Sequence, residues 1–271
     1  GVFSSLYHIC PNDTNFQFDL TFMIISSGVT FLSLYQKRHI TFMPSATRAY
    51  SYFSIFILFN LISLLNFPPA LFWTLVSILI MYISLSGSIY LYQHQSWSML
   101  HMFRVCANRI KKREFMPRDK TRFVAILVAN VFTLLITILS ITLGVYADSI
   151  RSFSNFILAL MILNFLIYLF YYVIMKIRHK ETIHPIIYVL LITLVAFWAA
   201  AIHFFKIAIT NKFLSWEESK ALNQECMIFG YFDSHDLWHI LSAGGLFTTM
   251  LLLLLIDKPL EEVAPADIAV F

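Results

Sequence analysis

The feature that most constrains the fold is a series of long apolar runs that recur along the whole chain. Seven continuous runs reach the length of a membrane-spanning helix, at about 18–36, 49–67, 70–92, 122–146, 153–175, 183–205 and 236–256. A helix needs about 20 apolar residues to cross the hydrocarbon core, whereas a membrane β-strand needs about ten of alternating character. Because the runs are continuous, the sequence predicts an all-α polytopic membrane protein, built as a helical bundle.

The composition agrees with this fold class. Of 271 residues, 59% are hydrophobic and 13% are charged, and the mean hydropathy is +0.75. A soluble domain of this length is far less apolar. Residues 1–10 are also apolar but reach only half the length of a span, so we expect them to be the end of a truncated first helix. We therefore expect about eight transmembrane segments in one transmembrane domain, 1–271, which is the C-terminal part of a longer protein.

The basic residues predict an orientation. Three loops, those after segments two, four and six, hold 14 of the 19 Lys and Arg residues. An eight-segment topology puts these loops on one side of the membrane, and the positive-inside rule assigns that side to the cytoplasm. The sequence therefore predicts an integral membrane protein with a cytoplasmic C-terminus.

The longest of these loops, 93–121, is predicted to be a basic cytoplasmic loop. Its cluster of Arg and Lys is also typical of an RNA-binding patch, but the positive-inside bias explains it more simply. The first half of the loop, 97–110, mixes apolar residues with Arg104 and Arg109. That mixture is consistent with a helix lying on the inner leaflet.

The main chemical motif opens the last apolar run, where His235 and His239 are four residues apart. Residues at i and i+4 lie on one face of a helix, so both imidazoles can point at the same ion. Catalytic zinc sites often hold two histidines in this way and take a third ligand from elsewhere in the chain. The pair alone leaves a metal site and two interfacial histidines equally open.

Polar residues at two other segment ends complete a candidate zinc site. The topology places Ser4, His8 and Asp19 at the same outer membrane face as His235 and His239. Each residue alone fits an interfacial position, but their convergence on one face favours a functional site. We therefore predict zinc bound by His8, His235 and His239, with a water at the open position. Asp19 would complete the coordination or take the proton of that water, and Ser4 would orient the water or stabilise an oxyanion.

Two further features lie on the predicted outer side. An oxidising compartment would allow a disulfide between Cys10 and Cys226, beside the metal, and two free thiols are the alternative. We expect Cys106, on the cytoplasmic side, to be reduced. Asn12 begins an Asn-Asp-Thr glycosylation sequon, although Pro11 and the nearby membrane work against its use.

The segments that carry these residues resemble the systemic RNA interference defective (SID) transmembrane family. The similar strings are Tyr-His-Ile-Cys-Pro-Asn at 7–12, Asn-Phe-Gln-Phe-Asp at 15–19, Asn-Gln-Glu-Cys at 223–226, the block 232–243 and the C-terminal stretch 257–271. The resemblance implies a role in moving double-stranded RNA into cells. We expect the protein to lie in the plasma membrane, or also in endosomal or lysosomal membranes. The same resemblance reaches the CREST superfamily, whose S-x3-H, Asp and H-x3-H pattern around zinc is matched by Ser4 and His8, Asp19, and His235 and His239.

Two classes of function follow from these observations. The resemblance implies the membrane core of a double-stranded RNA transporter or channel, with the RNA bound mainly by an extracellular region that precedes this chain. The residues themselves point more directly to a zinc-dependent lipid hydrolase of ceramidase or phospholipase type, which leaves open whether the protein is an enzyme. The resemblance also implies a third possibility, uptake of a sterol such as cholesterol, which is known in a branch of the same family. A homo-oligomer is also left open.

Overall fold

The computed structural model describes residues 13–38, 46–63, 65, 67–93, 99–113, 119–146, 153–207, 216–221, 232–264 and 267–271. The α-helices within these ranges are α1 (Asp13–Gln36), α2 (Ala46–Ile62), α3 (Pro69–Gln93), α4 (Met99–Lys111), α5 (Lys120–Tyr146), α6 (Phe153–Arg178), α7 (Pro185–Ile207), α8 (Trp216–Ala221) and α9 (Ser234–Leu255). A 3-10 turn, Lys258–Leu260, follows α9. The predicted all-α fold class is confirmed.

Five stretches of helix are long and apolar enough to cross a membrane, namely Pro69–Ile89, Lys120–Val145, Phe153–Arg178, Pro185–Phe205 and Ser234–Leu260. Two shorter apolar helices, Thr21–Gln36 and Ala49–Ile62, coincide with the other two predicted runs. The run predicted to end at residue 67 stops earlier, because α2 ends at Ile62. Apolar residues continue past that end into a turn, where Leu65 N–H donates to Ile62 O at 3.0 Å. Hydropathy alone does not mark such an end.

The outer surfaces of the spanning helices are apolar. Met81, Ile192 and Leu254 are 66%, 71% and 70% exposed, respectively, although each lies within a long apolar helix. Soluble proteins rarely expose contiguous apolar surface of this kind. The chain is therefore an integral membrane protein whose exposed apolar side chains face lipid.

The first of two compact units comprises Gly1–Pro44 and Ile174–Val270. Within it, α7 and α9 pack closely along each other, and α1 also contacts α9. Two glycines of α9 allow the close approach. A Cβ added at Gly244 would lie 2.7 Å from the Phe197 ring, and one at Gly245 would lie 3.1 Å from Trp198 Nε1. Small residues at the contact are a common way for membrane helices to bring their backbones together.

The second unit comprises Ser45–Val173 together with Phe271. Its core contains a cluster of edge-to-face and tilted rings, formed by Phe59, Phe72, Trp73, Phe153 and Phe156. Polar contacts join its helices as well. The Asn130 side chain on α5 bonds to Ser84 and Ser88 on α3. Such contacts satisfy polar groups that the hydrocarbon core cannot.

Candidate functional site

The histidine pair lies in the first turns of α9, whose start is fixed by a capping box. The Asp233 carboxylate accepts hydrogen bonds from the backbone N–H groups of His235 and Asp236, at 2.8 and 2.9 Å. The Asp236 carboxylate in turn accepts from Asp233 N–H at 3.2 Å. This reciprocal arrangement satisfies backbone donors that a helix otherwise leaves open. It therefore holds the turn that carries His235 in a defined position.

The two imidazoles converge through the same ring atom. The Nε2 atoms of His235 and His239 are 3.2 Å apart, and their ring centroids are 4.8 Å apart. His235 is buried at 7% exposure, and His239 is half-buried. The predicted i, i+4 geometry is therefore present, with both rings presenting Nε2 towards one point.

That spacing fits two chemical arrangements. Two nitrogens bound to a tetrahedral zinc, each about 2.0–2.1 Å from the metal, lie about 3.3–3.4 Å apart. An N–H···N hydrogen bond between two neutral imidazoles of complementary tautomers has a similar length. The Nε2 spacing is therefore compatible both with a shared zinc ion and with a direct hydrogen bond between the two rings.

Aromatic rings pack around the pair. The Trp238 ring lies 5.3 Å from the His235 ring and 4.2 Å from the His239 ring, centroid to centroid. Phe205 of α7 packs on Trp238 at 5.2 Å. These contacts restrict the rotamers of both histidines, so the convergence of the two Nε2 atoms is supported by packing as well as by helix spacing.

Most of the other predicted site residues lie outside the described residues. This applies to Ser4, His8, Cys10, Asn12 and Cys226. The backbone of Asp19 belongs to α1, but its side chain is not among those described. Within the described part of the chain, no group of three or more His, Cys, Asp or Glu residues is placed to hold a metal. The three-histidine zinc site, the disulfide and the glycosylation site therefore stay predictions.

Comparison with known proteins covers the whole length of the chain. The family described as "dsRNA-gated channel SID-1" matches residues 1–271. The chain belongs to the SID-1 family.

The relatives of this SID-1-family chain include proteins with two different names. SID1 transmembrane family member 1 of Homo sapiens is 34% identical over 281 residues, and its counterpart in Rattus norvegicus is 33% identical over 286 residues. Cholesterol uptake protein 1 of Caenorhabditis elegans is 29% identical over 281 residues. Each match covers all of this chain but only 33%, 33% and 36% of the respective relative. The chain thus spans about a third of the length of these curated relatives.

The described part of this SID-1-family chain also contains a cluster of four charged side chains, two of them buried and two partly exposed, which we call the charge cluster: Arg38, Lys176, Glu181 and Asp257. The Arg38 guanidinium donates to both Glu181 carboxylate oxygens, at 2.9 and 2.6 Å, and to Asp257 at 2.8 Å. The Lys176 ammonium donates to the same two carboxylates, at 2.8 and 2.9 Å. Arg38 is 1% exposed and Lys176 is fully buried. The two positive and two negative charges leave the cluster neutral.

A turn at the end of α6 brings Glu181 back over Lys176. Glu181 N–H donates to Lys176 O, and Lys180 N–H donates to Ile177 O, both at 3.0 Å. These two bonds form a Schellman motif, which usually has glycine at the position that Lys180 occupies. Lys180 accordingly has a positive φ of 57°. Local backbone geometry therefore supplies one of the two carboxylates.

The charge cluster changes the acidity of Glu181. Burial by itself would raise the pKa of Glu181, but the hydrogen bonds and positive charges of Arg38 and Lys176 outweigh burial and hold that pKa below its ordinary value of 4.5. Sequence reasoning had attributed Arg38 and Lys176 to the positive-inside bias alone. The signal that it missed was an acidic residue beside each of two helix ends on the same predicted side, Glu181 and Asp257.

Proposed function

We propose that this chain is the membrane core of a double-stranded RNA channel or transporter that carries a zinc site at its extracytoplasmic face. The family match over residues 1–271 supports the RNA-related role. The 3.2 Å approach of the His235 and His239 Nε2 atoms is the observation that supports the zinc site. The RNA itself would be bound mainly by parts of the longer protein outside this chain, because a duplex is polyanionic along its whole length and the described spans are apolar.

The residues of this chain have distinct tasks in the proposed site. Asp233 and Asp236 fix the first turn of α9, and His235 and His239 would hold the metal through their Nε2 atoms. His8 would supply the third nitrogen ligand. Bound zinc supplies Lewis acidity, which lowers the pKa of a coordinated water to about 7.

Two further residues would act beside the metal ligands. The Asp19 carboxylate would accept a proton from a water held at the site, or would complete the ligand set. The Ser4 hydroxyl, one helical turn before His8, would orient that water or donate to a developing oxyanion. Asp19 and Ser4 matter most if the site is catalytic, so their substitution separates catalytic from structural use of the metal.

The second candidate function is a zinc-dependent hydrolase acting on an amide or ester of a membrane lipid. The histidine pair favours it, because two convergent imidazoles at the membrane surface would serve water activation directly. The apolar exterior of the helices would let a lipid reach the site sideways from the bilayer. Sterol uptake is a third candidate, supported by the relative named cholesterol uptake protein 1. Hydrolysis and RNA uptake can coexist in one protein.

A histidine substitution in the full-length protein tests the zinc site. We expect His239→Ala to lose most of the zinc that copurifies with the protein, as measured by elemental mass spectrometry. The matched control is His203→Ala, because His203 is an exposed histidine on α7. It should keep its zinc. Purified wild-type protein without stoichiometric zinc would refute the site.

The same two variants separate the candidate functions. Double-stranded RNA uptake is measured in cells that express each variant at equal surface levels, and lipid hydrolysis is measured on purified protein in liposomes. If His239→Ala abolishes hydrolysis and leaves RNA uptake intact, the metal serves a separate enzymatic activity. If uptake is lost while the protein remains folded, zinc is required for transport.

A further inference from the structure

The helix α4 (Met99–Lys111) has an apolar face that the rest of the described structure leaves uncovered. Phe103 and Ile110 are both 63% exposed. They are seven residues apart, so at about 100° per residue they lie within about 20° of each other on the helix. The helix pairs that pack extensively among the described residues are α7 with α9 and α3 with α5, and α4 belongs to neither. An unpartnered apolar face on such a short helix needs an occupant.

Basic side chains border this apolar face on both sides. By the same spacing, Arg104 and Lys111 lie about 100–120° from Ile110 in one direction, and Arg109, which is half-buried, lies about 100° away in the other. Arg104 and Lys111 are exposed. Apolar residues flanked by Arg and Lys are typical of a helix that lies in a membrane interface, since the long side chains reach outward to anionic headgroups.

The neighbouring helices keep α4 close to a bilayer surface. Before it, α3 ends at Gln93, and after it, α5 begins at Lys120; both contain a membrane-spanning stretch. The five residues between Gln93 and Met99 make six Cα–Cα steps, which extend to about 20 Å at most. The tether therefore holds α4 at high effective concentration near one membrane face, which reduces the entropy cost of docking.

We propose that α4 docks on the surface of the protein's own bilayer, with Phe103 and Ile110 inserted among the lipids and with Arg104 and Lys111 bound to anionic headgroups. The positive-inside rule assigns this loop to the cytoplasmic side, where the leaflet is rich in anionic lipid. Phosphate oxygens of headgroups and of RNA share the same charge, but RNA offers no partner for the apolar face. A lipid surface offers a partner both for the apolar face of α4 and for its basic side chains.

The test places an environment-sensitive fluorescent amino acid at position 110 or, as a matched control, at position 108. Asn108 is exposed and lies about 160° from Ile110. The full-length protein is reconstituted in phosphatidylcholine nanodiscs with or without phosphatidylserine. We expect lipid-attached quenchers to quench the probe at 110 and to spare the probe at 108. Equal quenching at the two positions would overturn the proposal.

Charge variants test the headgroup contacts. The variant Arg104→Gln/Lys111→Gln should lower the ratio of docked to undocked α4 about thirtyfold in nanodiscs that contain phosphatidylserine, at about fivefold per basic residue. The variant Lys37→Gln/Lys258→Gln removes the same charge elsewhere and should leave the ratio unchanged. If lipid composition has no effect and added RNA duplex protects position 110 instead, the surface binds nucleic acid and the proposal is wrong.

Discussion

Removing the Arg38 side chain should destabilise the protein through the charge cluster. Among the described residues, the Arg38 guanidinium donates three hydrogen bonds to the two carboxylates and one to Ala269 O at 3.3 Å. In Arg38→Met, Glu181 and Asp257 lose the guanidinium and keep their bonds to Lys176, so the four-residue cluster acquires a net charge of −1. Breaking a buried ion pair in this way costs about 3–5 kcal/mol, since the remaining charge stays desolvated without a full set of partners. We expect a loss of unfolding free energy in that range.

The assay is unfolding of purified protein in mixed micelles, followed by circular dichroism during titration with a denaturing detergent. The matched control is Arg122→Met. Arg122 Nε lies 3.7 Å from an Asp119 carboxylate oxygen, and the two side chains are 14% and 38% exposed, respectively. Because this ion pair is longer and its carboxylate is more exposed, we expect the control to lose less stability than Arg38→Met, on the order of 1 kcal/mol.

A double-mutant cycle identifies the cause of the loss. Glu181→Gln alone gives the cluster a net charge of +1, whereas Arg38→Met/Glu181→Gln restores neutrality. The double variant should therefore be more stable than the sum of the two single losses predicts, by about 0.5–3 kcal/mol. Additive losses, or a cost for Arg38→Met no greater than that of Arg122→Met, would refute the assignment of this stability to charge pairing.

Three further results are expected. The pKa of Glu181 is lowered in the folded state, so the stability that Glu181 contributes is present above pH 4.5 and is lost as the pH falls through the lower folded-state pKa. Glu181→Gln should therefore weaken the pH dependence of stability, as measured by acid unfolding curves. Lys180→Gly should raise the unfolding free energy by up to about 1 kcal/mol, because glycine adopts the positive φ of 57° without steric cost. Gly144→Leu should cost about 1–3 kcal/mol, because a side chain at Gly144 would overlap the Trp73 ring. Gly87→Leu is its control, since no atom lies within 4 Å of a Cβ placed there.

The helices were predictable because membrane spans are specified locally. Hydropathy over about 20 residues located the five described spans and the two shorter apolar helices. The i, i+4 spacing placed His235 and His239 on one face of a helix. The 3.2 Å distance between their Nε2 atoms was not predictable, because it depends on rotamers restricted by Trp238 and Phe205. Helix periodicity determines the face on which a residue lies, whereas the distance between two side-chain atoms depends on packing.

The charge cluster shows what sequence reasoning lacked. Arg38 and Asp257 are 219 residues apart, and a salt bridge between them follows only from the packing of several helix ends. The predicted topology does require the ends of segments two, six and eight to lie on one side, and the cluster joins residues from all three ends. The membrane side of these residues was therefore predictable from the topology. Their ion-pair partners were not predictable, because the turn that positions Glu181 has Lys180 where glycine usually marks such a turn.

The histidine pair and the charge cluster lie at opposite ends of α9, so we expect them to have separate roles. The 22 residues of α9 extend about 33 Å at 1.5 Å per residue, close to the thickness of a bilayer core. His239 and Asp257 are 18 residues apart, or about 27 Å along the helix axis. The Nε2 spacing depends on the Asp233 capping box and on Trp238, and the charge cluster contributes to neither. The folded fraction of Arg38→Met should therefore bind as much zinc per molecule as wild type, measured by elemental analysis after size-exclusion chromatography. Loss of zinc from folded Arg38→Met protein would mean that the two ends of α9 are coupled, and that the charge cluster belongs to the functional site.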